Sequence, residues 1–159
     1  MPGIYIHIPF CAAKCRYCDF VSFADCAGTE PYLDALVSEM ALCRESLPAL
    51  TYDTVFLGGG TPSVLPAGAV SRVMEALTRK FRVTPDAEIT IEANPGTLAA
   101  DKLREYKDAG VNRLSLGLQS ADDHLLKRLG RIHTYGQFLE SFRLAREAGL
   151  GNVSADIMY

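Results

Sequence analysis

The stretch Val55-Phe56-Leu57-Gly58-Gly59-Gly60-Thr61-Pro62-Ser63 opens the segment that decides the fold. It is followed by a helix-period run from Pro66 to Phe81 and then by Glu88-Ile89-Thr90-Ile91-Glu92. The segment reads as strand, helix, strand, and two strands joined by a helical crossover run parallel. Working outward, the same alternation covers the chain. Strands are predicted at Ile4 to Pro9, Thr54 to Leu57, Glu88 to Glu92, Arg113 to Leu118 and Val153 to Tyr159. Helices are predicted at Pro31 to Glu45, Pro66 to Phe81, Ala99 to Ala109, Asp122 to Leu129 and Tyr135 to Ala148. The fold class is therefore α/β with a mostly parallel sheet. The continuous apolar run Val55-Phe56-Leu57 implies strands covered on both faces, as in a barrel or a doubly wound sheet.

Turn chemistry marks the boundaries. Thr29-Glu30-Pro31 and Thr84-Pro85-Asp86 read as turns, and Gly110 and Gly149 stand where a left-handed helix cap is expected. Both candidate architectures place ligands at the carboxyl ends of their strands. The unusual residues sit there: Cys11 to Cys18 after the first strand, Gly58 to Ser63 after the second, Glu92 to Pro95 at the end of the third, and Gln119 after the fourth. The chain stops at an unprotected fifth strand, which predicts a fragment, the N-terminal portion of a longer domain.

Composition narrows the function classes. The chain has 159 residues, 48% hydrophobic and 22% charged, which suits one globular domain with a substantial core. A net charge of -3 offers no broad basic field, so nucleic acid and anionic membrane surfaces are not expected partners. No apolar run is long enough to span a bilayer and the start lacks a charged leader, so a cytoplasmic location is expected. Three of five cysteines crowd into eight residues, which suits metal ligation in a reducing compartment better than a disulfide framework.

Cys11-Ala-Ala-Lys-Cys15-Arg-Tyr-Cys18 places three thiolates on one loop. Three ligands around a 4Fe-4S cluster leave one iron open. S-adenosylmethionine (SAM) can chelate that iron through its amino and carboxylate groups, which permits reductive cleavage to a hydrogen-abstracting 5'-deoxyadenosyl radical. The alternative is structural zinc, which ordinarily takes four ligands and uses a second short-spaced pair. No such pair follows, and His7 lies on a predicted strand as a core or rim histidine. Cys43 falls within a helix as a small buried hydrophobe, Cys26 falls in a loop, and neither has ligand spacing.

Other rim residues have two readings each. Gly58-Gly59-Gly60-Thr61 is by itself a sharp turn ended by Pro62; on a rim shared with the cysteines it becomes a place where backbone approaches a ligand closely. Tyr5 and Tyr17 serve equally as packing aromatics, Glu92 as a solvated carboxylate or a ligand contact, and Arg131 as a solvated surface side chain or a fork for a carboxylate. Asp156, between Val153 and Ile157, is expected to need compensation for its charge. Asn94-Pro95 and Lys127-Arg128 are accounted for by a turn and a solvated helix face.

The blocks Ile4-Tyr5-Ile6-His7-Ile8-Pro9-Phe10-Cys11, the three-cysteine loop, Gly58 to Ser63, Ile91 to Pro95 and Arg113 to Gln119 together resemble the radical SAM family of oxygen-independent coproporphyrinogen III oxidase and its relative, the haem chaperone. The resemblance covers essentially the whole chain. It implies a partial triosephosphate-isomerase-like barrel with five of six strands, and a C-terminal domain absent from this sequence. It assigns cluster ligation to Cys11, Cys15 and Cys18, and SAM contacts to Tyr5, Tyr17, Gly59, Gly60, Thr61, Glu92, Gln119, Arg131 and Asp156; some contacts can belong to a second SAM. The oxidase pattern carries a cysteine two positions after the third ligand and a phenylalanine just before it. Here Phe20 and Tyr17 stand at those positions, which points to the haem-chaperone branch. On that reading the partners are SAM, haem, an electron donor and a haem-acceptor protein. The alternatives are radical decarboxylation of coproporphyrinogen III by an oxidase and, in another class, a structural metal-binding module.

Overall fold

The computed structural model describes residues 2–159. Five strands form one sheet in the order β1-β2-β3-β4-β5: β1 Gly3–Ile8, β2 Thr51–Gly59, β3 Arg82–Ala93, β4 Arg113–Gln119 and β5 Asn152–Ile157. Every neighbouring pair is parallel. Helices α1 Thr29–Ser46, α2 Ala69–Lys80, α3 Ala100–Asp108, α4 Asp123–Leu129 and α5 Tyr135–Glu147 supply the crossovers, with a 3-10 turn at Pro62–Val64. Right-handed crossovers between sequentially neighbouring strands put the helices on one face, and the other face is left to curl inward as in a barrel. The parallel α/β expectation is met.

The two faces differ in chemistry. Ile6, Ile8, Val55, Leu57, Ile91, Leu114 and Leu116 join Leu33, Val73, Leu77, Leu103 and Tyr106 of the helices in one core. The alternate residues carry polar cross-strand contacts: Arg113 donates to Thr90 Oγ1 (3.3 Å) and Ser154 Oγ (3.1 Å), and Ser115 Oγ donates to Asp156 (3.3 Å). Coverage of both faces, expected from Val55-Phe56-Leu57, is met on β4, where residues of both faces are buried, and is partial on β1 and β2. Phe56 is half-buried and stacks on exposed Tyr5, with ring centroids 6.1 Å apart.

Two expected turns are corrected. Thr29-Glu30-Pro31 forms the first turn of α1, where proline's missing N–H costs nothing. Thr84-Pro85-Asp86 lies inside β3, next to a shift in the β2 register between Tyr52 and Thr54 that absorbs the lost ladder donor. Helix α2 begins at Ala69, later than the periodicity suggested, because Pro62 to Val64 take a tighter turn first; its N-terminal amides at Gly68 and Ser71 donate to Glu105 of α3. Helix α5 starts with a reciprocal cap between Thr134 and Gln137. Gly110 (φ 94°) and Gly149 (φ 82°) are left-handed, as expected.

Candidate functional site

The cysteine loop is anchored at both ends. Phe10 pairs with Phe23, Cys11 N–H donates to Phe23 O (2.9 Å), and Phe23 N–H donates to Pro9 O (2.7 Å). At its middle, Arg16 N–H donates to Leu129 O (3.0 Å) at the end of α4, and Lys14 Nζ reaches Phe20 O (2.7 Å). His7 ties β1 to the same loop through Val21 O (2.8 Å) and accepts or donates to Tyr5 Oη (3.1 Å), so it is the satisfied rim histidine expected.

The glycine turn is held against this loop. Gly60 N–H donates to Ile8 O (2.8 Å) and Thr61 N–H to Phe10 O (2.7 Å), and a Cβ on Gly60 would stand 2.6 Å from Phe10 O. Gly59 has φ 115°, and a Cβ there would meet the His7 ring at 2.5 Å. The close approach these glycines permit is thus first to the cysteine-bearing strand itself. Gly59 N–H donates to Glu92 Oε2 (3.0 Å).

Glu92 and Asn94 alternate on β3 and its extension, so both side chains emerge on the same side. Asn94 receives a bond from Arg131 Nη2 (2.7 Å) and donates through Nδ2 to Thr61 Oγ1 (2.9 Å). The turn at Gly130 (φ 77°) closes α4 and carries Arg131 inward. Arg131 donates to Cys15 Sγ (3.6 Å), Tyr17 Oη (3.4 Å) and the Gly117 carbonyl, while its Nε is buried without a partner. Thr61 Oγ1 donates to Cys11 Sγ (3.6 Å). Gln119 ends β4 at φ 67°, left-handed backbone that a non-glycine residue adopts at some cost.

An open cavity of about 270 Å³ lies over these strand ends. Its lining brings together Tyr17, Cys18, Gly59, Gly60, Thr61, Glu92, Gln119, Arg131 and Asp156 from the residues singled out in the sequence. Cys11 and Cys15 adjoin it through Thr61 and Arg131. Tyr5 is not on this lining; it borders a separate apolar groove between β1 and α1 that also contains half-buried Cys43. Five lining residues were missed: Phe20, Ala93, Asn94, Ser115 and Gly117. The period of two from Glu92 to Asn94, and from Ser115 through Gly117 to Gln119, is the signal that finds three of them. Reading Asn94 as a mere turn residue is corrected by its two side-chain bonds. Asp156 has the compensation expected of it, from the Ser115 hydroxyl and, because it is exposed, from solvent.

Electrostatically the cavity is bipolar. Burial, above all, pushes the Glu92 carboxyl above its usual range; Asp156 adds to the rise, while the Gly59 amide and His7 oppose it. Burial likewise raises the Tyr17 phenol, against the pull of Arg131. Among the described residues no three His, Cys, Asp or Glu side chains gather closely enough to hold a single ion. A cluster makes a different demand, because each thiolate binds a different iron. Three thiols on one anchored loop, two of them already accepting hydrogen bonds, have the donor chemistry for it. The Arg131 guanidinium, on the same lining, carries the fixed positive charge that an anionic group in the cavity would meet.

Residues 5–159 match the Radical SAM superfamily. The chain is 42% identical to the haem chaperone HemW of Bacillus subtilis (strain 168), over 100% of this chain and 42% of the relative. It is 41% identical to the haem chaperone HemW of Escherichia coli (strain K12), over 99% and 42%. Among solved structures it is similar to the coproporphyrinogen III oxidase HemN of Escherichia coli, a radical SAM enzyme, with TM-score 0.91 and 30% identity, over 99% of this chain and 37% of that one. Its fold is also that of anSMEcpe with bound AdoMet, at TM-score 0.65 and 12% identity over 98% and 43%. The chain thus spans about two fifths of the curated relatives it matches. Among the described residues no helix is long and apolar enough to cross a membrane. With its parallel sheet, its rim cysteines and a match across residues 5–159, the chain belongs to the radical SAM superfamily, whose members use SAM and a 4Fe-4S cluster.

Proposed function

We propose that this chain is the cluster- and SAM-binding portion of a haem chaperone, which binds haem and passes it to an acceptor protein in a reducing compartment. Cys11, Cys15 and Cys18 hold the cluster, and the cavity beside them holds SAM. The observation that carries the SAM reading is the bipolar cavity. Arg131 stands at the cysteine side, its guanidinium bonded to Cys15 Sγ and Tyr17 Oη, while Glu92 and Asp156 supply carboxylates from β3 and β5. A ligand with both a carboxylate and cationic groups matches that polarity. Bound there, the cluster and SAM supply reductive radical chemistry. The protein's own part is to position and to shield. Gly59 and Gly60 keep the floor low, Glu92 accepts a cationic or hydroxyl donor, Tyr17 and Gln119 border the opening, and Tyr5 flanks Glu92 on the open face.

The haem-chaperone choice is supported by identities of 41–42% to HemW proteins and by Phe20 on the cavity wall, where the oxidase pattern has cysteine. The second reading, coproporphyrinogen III oxidation, is favoured by the TM-score of 0.91 to HemN. Anaerobic reconstitution with iron and sulfide, followed by electron paramagnetic resonance with and without SAM, tests the site. A 4Fe-4S signal perturbed by SAM is expected, whereas stoichiometric zinc without a cluster overturns it in favour of a structural metal module. Haem titration and coproporphyrinogen III turnover on the longer protein then decide the branch: haem uptake without decarboxylation is expected, and sustained decarboxylation reverses the choice.

A further inference from the structure

Two of the three candidate ligand sulfurs receive a hydrogen bond from elsewhere in the fold. Thr61 Oγ1 donates to Cys11 Sγ, and Arg131 Nη1 donates to Cys15 Sγ, each at 3.6 Å. Both donors meet at one residue, because Asn94 Nδ2 donates to Thr61 Oγ1 at 2.9 Å and Asn94 Oδ1 accepts from Arg131 Nη2 at 2.7 Å. An unbroken path therefore runs Cys11, Thr61, Asn94, Arg131, Cys15.

The direction of each bond is forced. A guanidinium only donates, so the amide must turn its oxygen to Arg131 and its nitrogen to Thr61. The Thr61 hydroxyl, receiving that N–H, has its single proton left for Cys11. The Asn94 backbone is fixed as well: its N–H donates to Ser63 Oγ (3.2 Å), and its carbonyl accepts from Thr97 Oγ1 (2.6 Å) and Thr97 N–H (3.2 Å). A carboxylate at position 94 would satisfy Arg131 but has no proton for Thr61. The Thr61 hydroxyl would then donate to that carboxylate and abandon Cys11.

We infer that Asn94 is a positioning residue that aims a hydrogen bond at Cys11 through Thr61 and another at Cys15 through Arg131, and so raises the reduction potential of the cluster they ligate. The inference rests on the proposed ligation by Cys11, Cys15 and Cys18. Reduction adds negative charge to a thiolate-ligated cluster, and donors aimed at its sulfurs stabilise that state. Their loss favours the oxidised state and lowers the potential.

The test is a redox titration of the anaerobically reconstituted, SAM-free protein, followed by electron paramagnetic resonance. Asn94→Asp and Thr61→Val each shift the midpoint to lower potential, Thr61→Ser keeps it, and Thr61→Val causes no further drop in the Asn94→Asp background. An unchanged midpoint in Asn94→Asp, or an equal Thr61→Val shift in both backgrounds, overturns the role of Asn94 while leaving the cysteine assignment intact. Failure of the unsubstituted protein to assemble a cluster overturns that assignment, and this inference with it. Should Asn94→Asp not fold, nuclear magnetic resonance of the cluster-free protein decides. A side-chain amide proton of Asn94 protected from exchange, and released by Thr61→Val, supports the path; exchange at the rate of a free amide overturns it.

Discussion

On β4, Leu114 is fully buried in the core shared with the helices, while Ser115, one residue later and also buried, lies on the polar face and bonds Asp156 and Ser154. The same contrast repeats along the sheet: Ile91 against Glu92 on β3, Ile6 against Tyr5 and His7 on β1. Successive side chains of a strand point to opposite faces, so one backbone carries two programmes at a spacing of one residue. The covered face supplies burial, at about 1.5–3 kcal/mol for each large apolar side chain. The open face spends polar groups near a cavity, where they contribute little to stability and are free to bind.

Removing a ligand from the cysteine loop is expected to have the largest effect on the site and little on the fold. Cys15→Ala is expected to abolish cluster assembly, read as loss of the reduced paramagnetic signal, with the thermal midpoint of the cluster-free protein unchanged. Cys43→Ala, in the groove between β1 and α1, is expected to leave the cluster spectrum as it was. Equal loss in both variants breaks the division between site and scaffold. The mirror image on the covered face is Leu114→Ala, which is expected to cost about 2–5 kcal/mol in denaturant unfolding through lost transfer energy and the cavity left behind. Ser115→Ala beside it is expected to cost only about 1 kcal/mol, the worth of an ordinary hydrogen bond. Similar costs for the two neighbours would show that the open face is also part of the core.

How much of this was legible follows from the same alternation. The five strands, their parallel pairing and the convergence of Cys11, Gly58 and Glu92 on one rim all follow from local patterns of apolar and turn residues. The extent of β3 does not, because Thr84-Pro85-Asp86 has turn chemistry and becomes strand only by pairing across a register shift with β2. Thr61, Glu92 and Arg131 could be picked out by position and by resemblance. Their linkage through Asn94 could not, since it depends on the turn at Gly130 bringing a residue 37 positions later in the chain to within 2.7 Å.

Glu92 sharpens the comparison through pH. Burial raises its folded-state pKa above the unfolded value of about 4.3, so the folded protein holds the proton more tightly in the window between them. The folded state then binds more protons than the unfolded one, and stability falls as pH rises through that window. At neutral pH the full penalty of the half-buried carboxylate is present. Glu92→Gln, which keeps an acceptor for Gly59 N–H, is expected to stabilise the cluster-free protein above the window, with the difference closing below about pH 4. Unfolding curves across a pH series check this. A variant less stable at neutral pH would make Glu92 part of the scaffold.

Arg113 is expected to give the smallest effect, although it makes the most cross-strand contacts on the open face. It bonds Thr90 and Ser154 and lies 3.8 Å from Glu88, but the Glu88 side chain is half exposed. Solvent screens such a pair, and its bonds to the Thr90 and Ser154 hydroxyls exchange against bonds to water, so Arg113→Met is expected to cost about 1 kcal/mol or less. The methionine keeps most of the apolar stem, which separates loss of the charge from loss of packing. Arg113 sits at the start of β4, away from the strand ends that line the cavity, so SAM-dependent perturbation of the cluster signal should be retained. A loss of several kcal/mol would mean that the polar layer across β3, β4 and β5 holds the sheet together. The covered face alone would then no longer account for the scaffold.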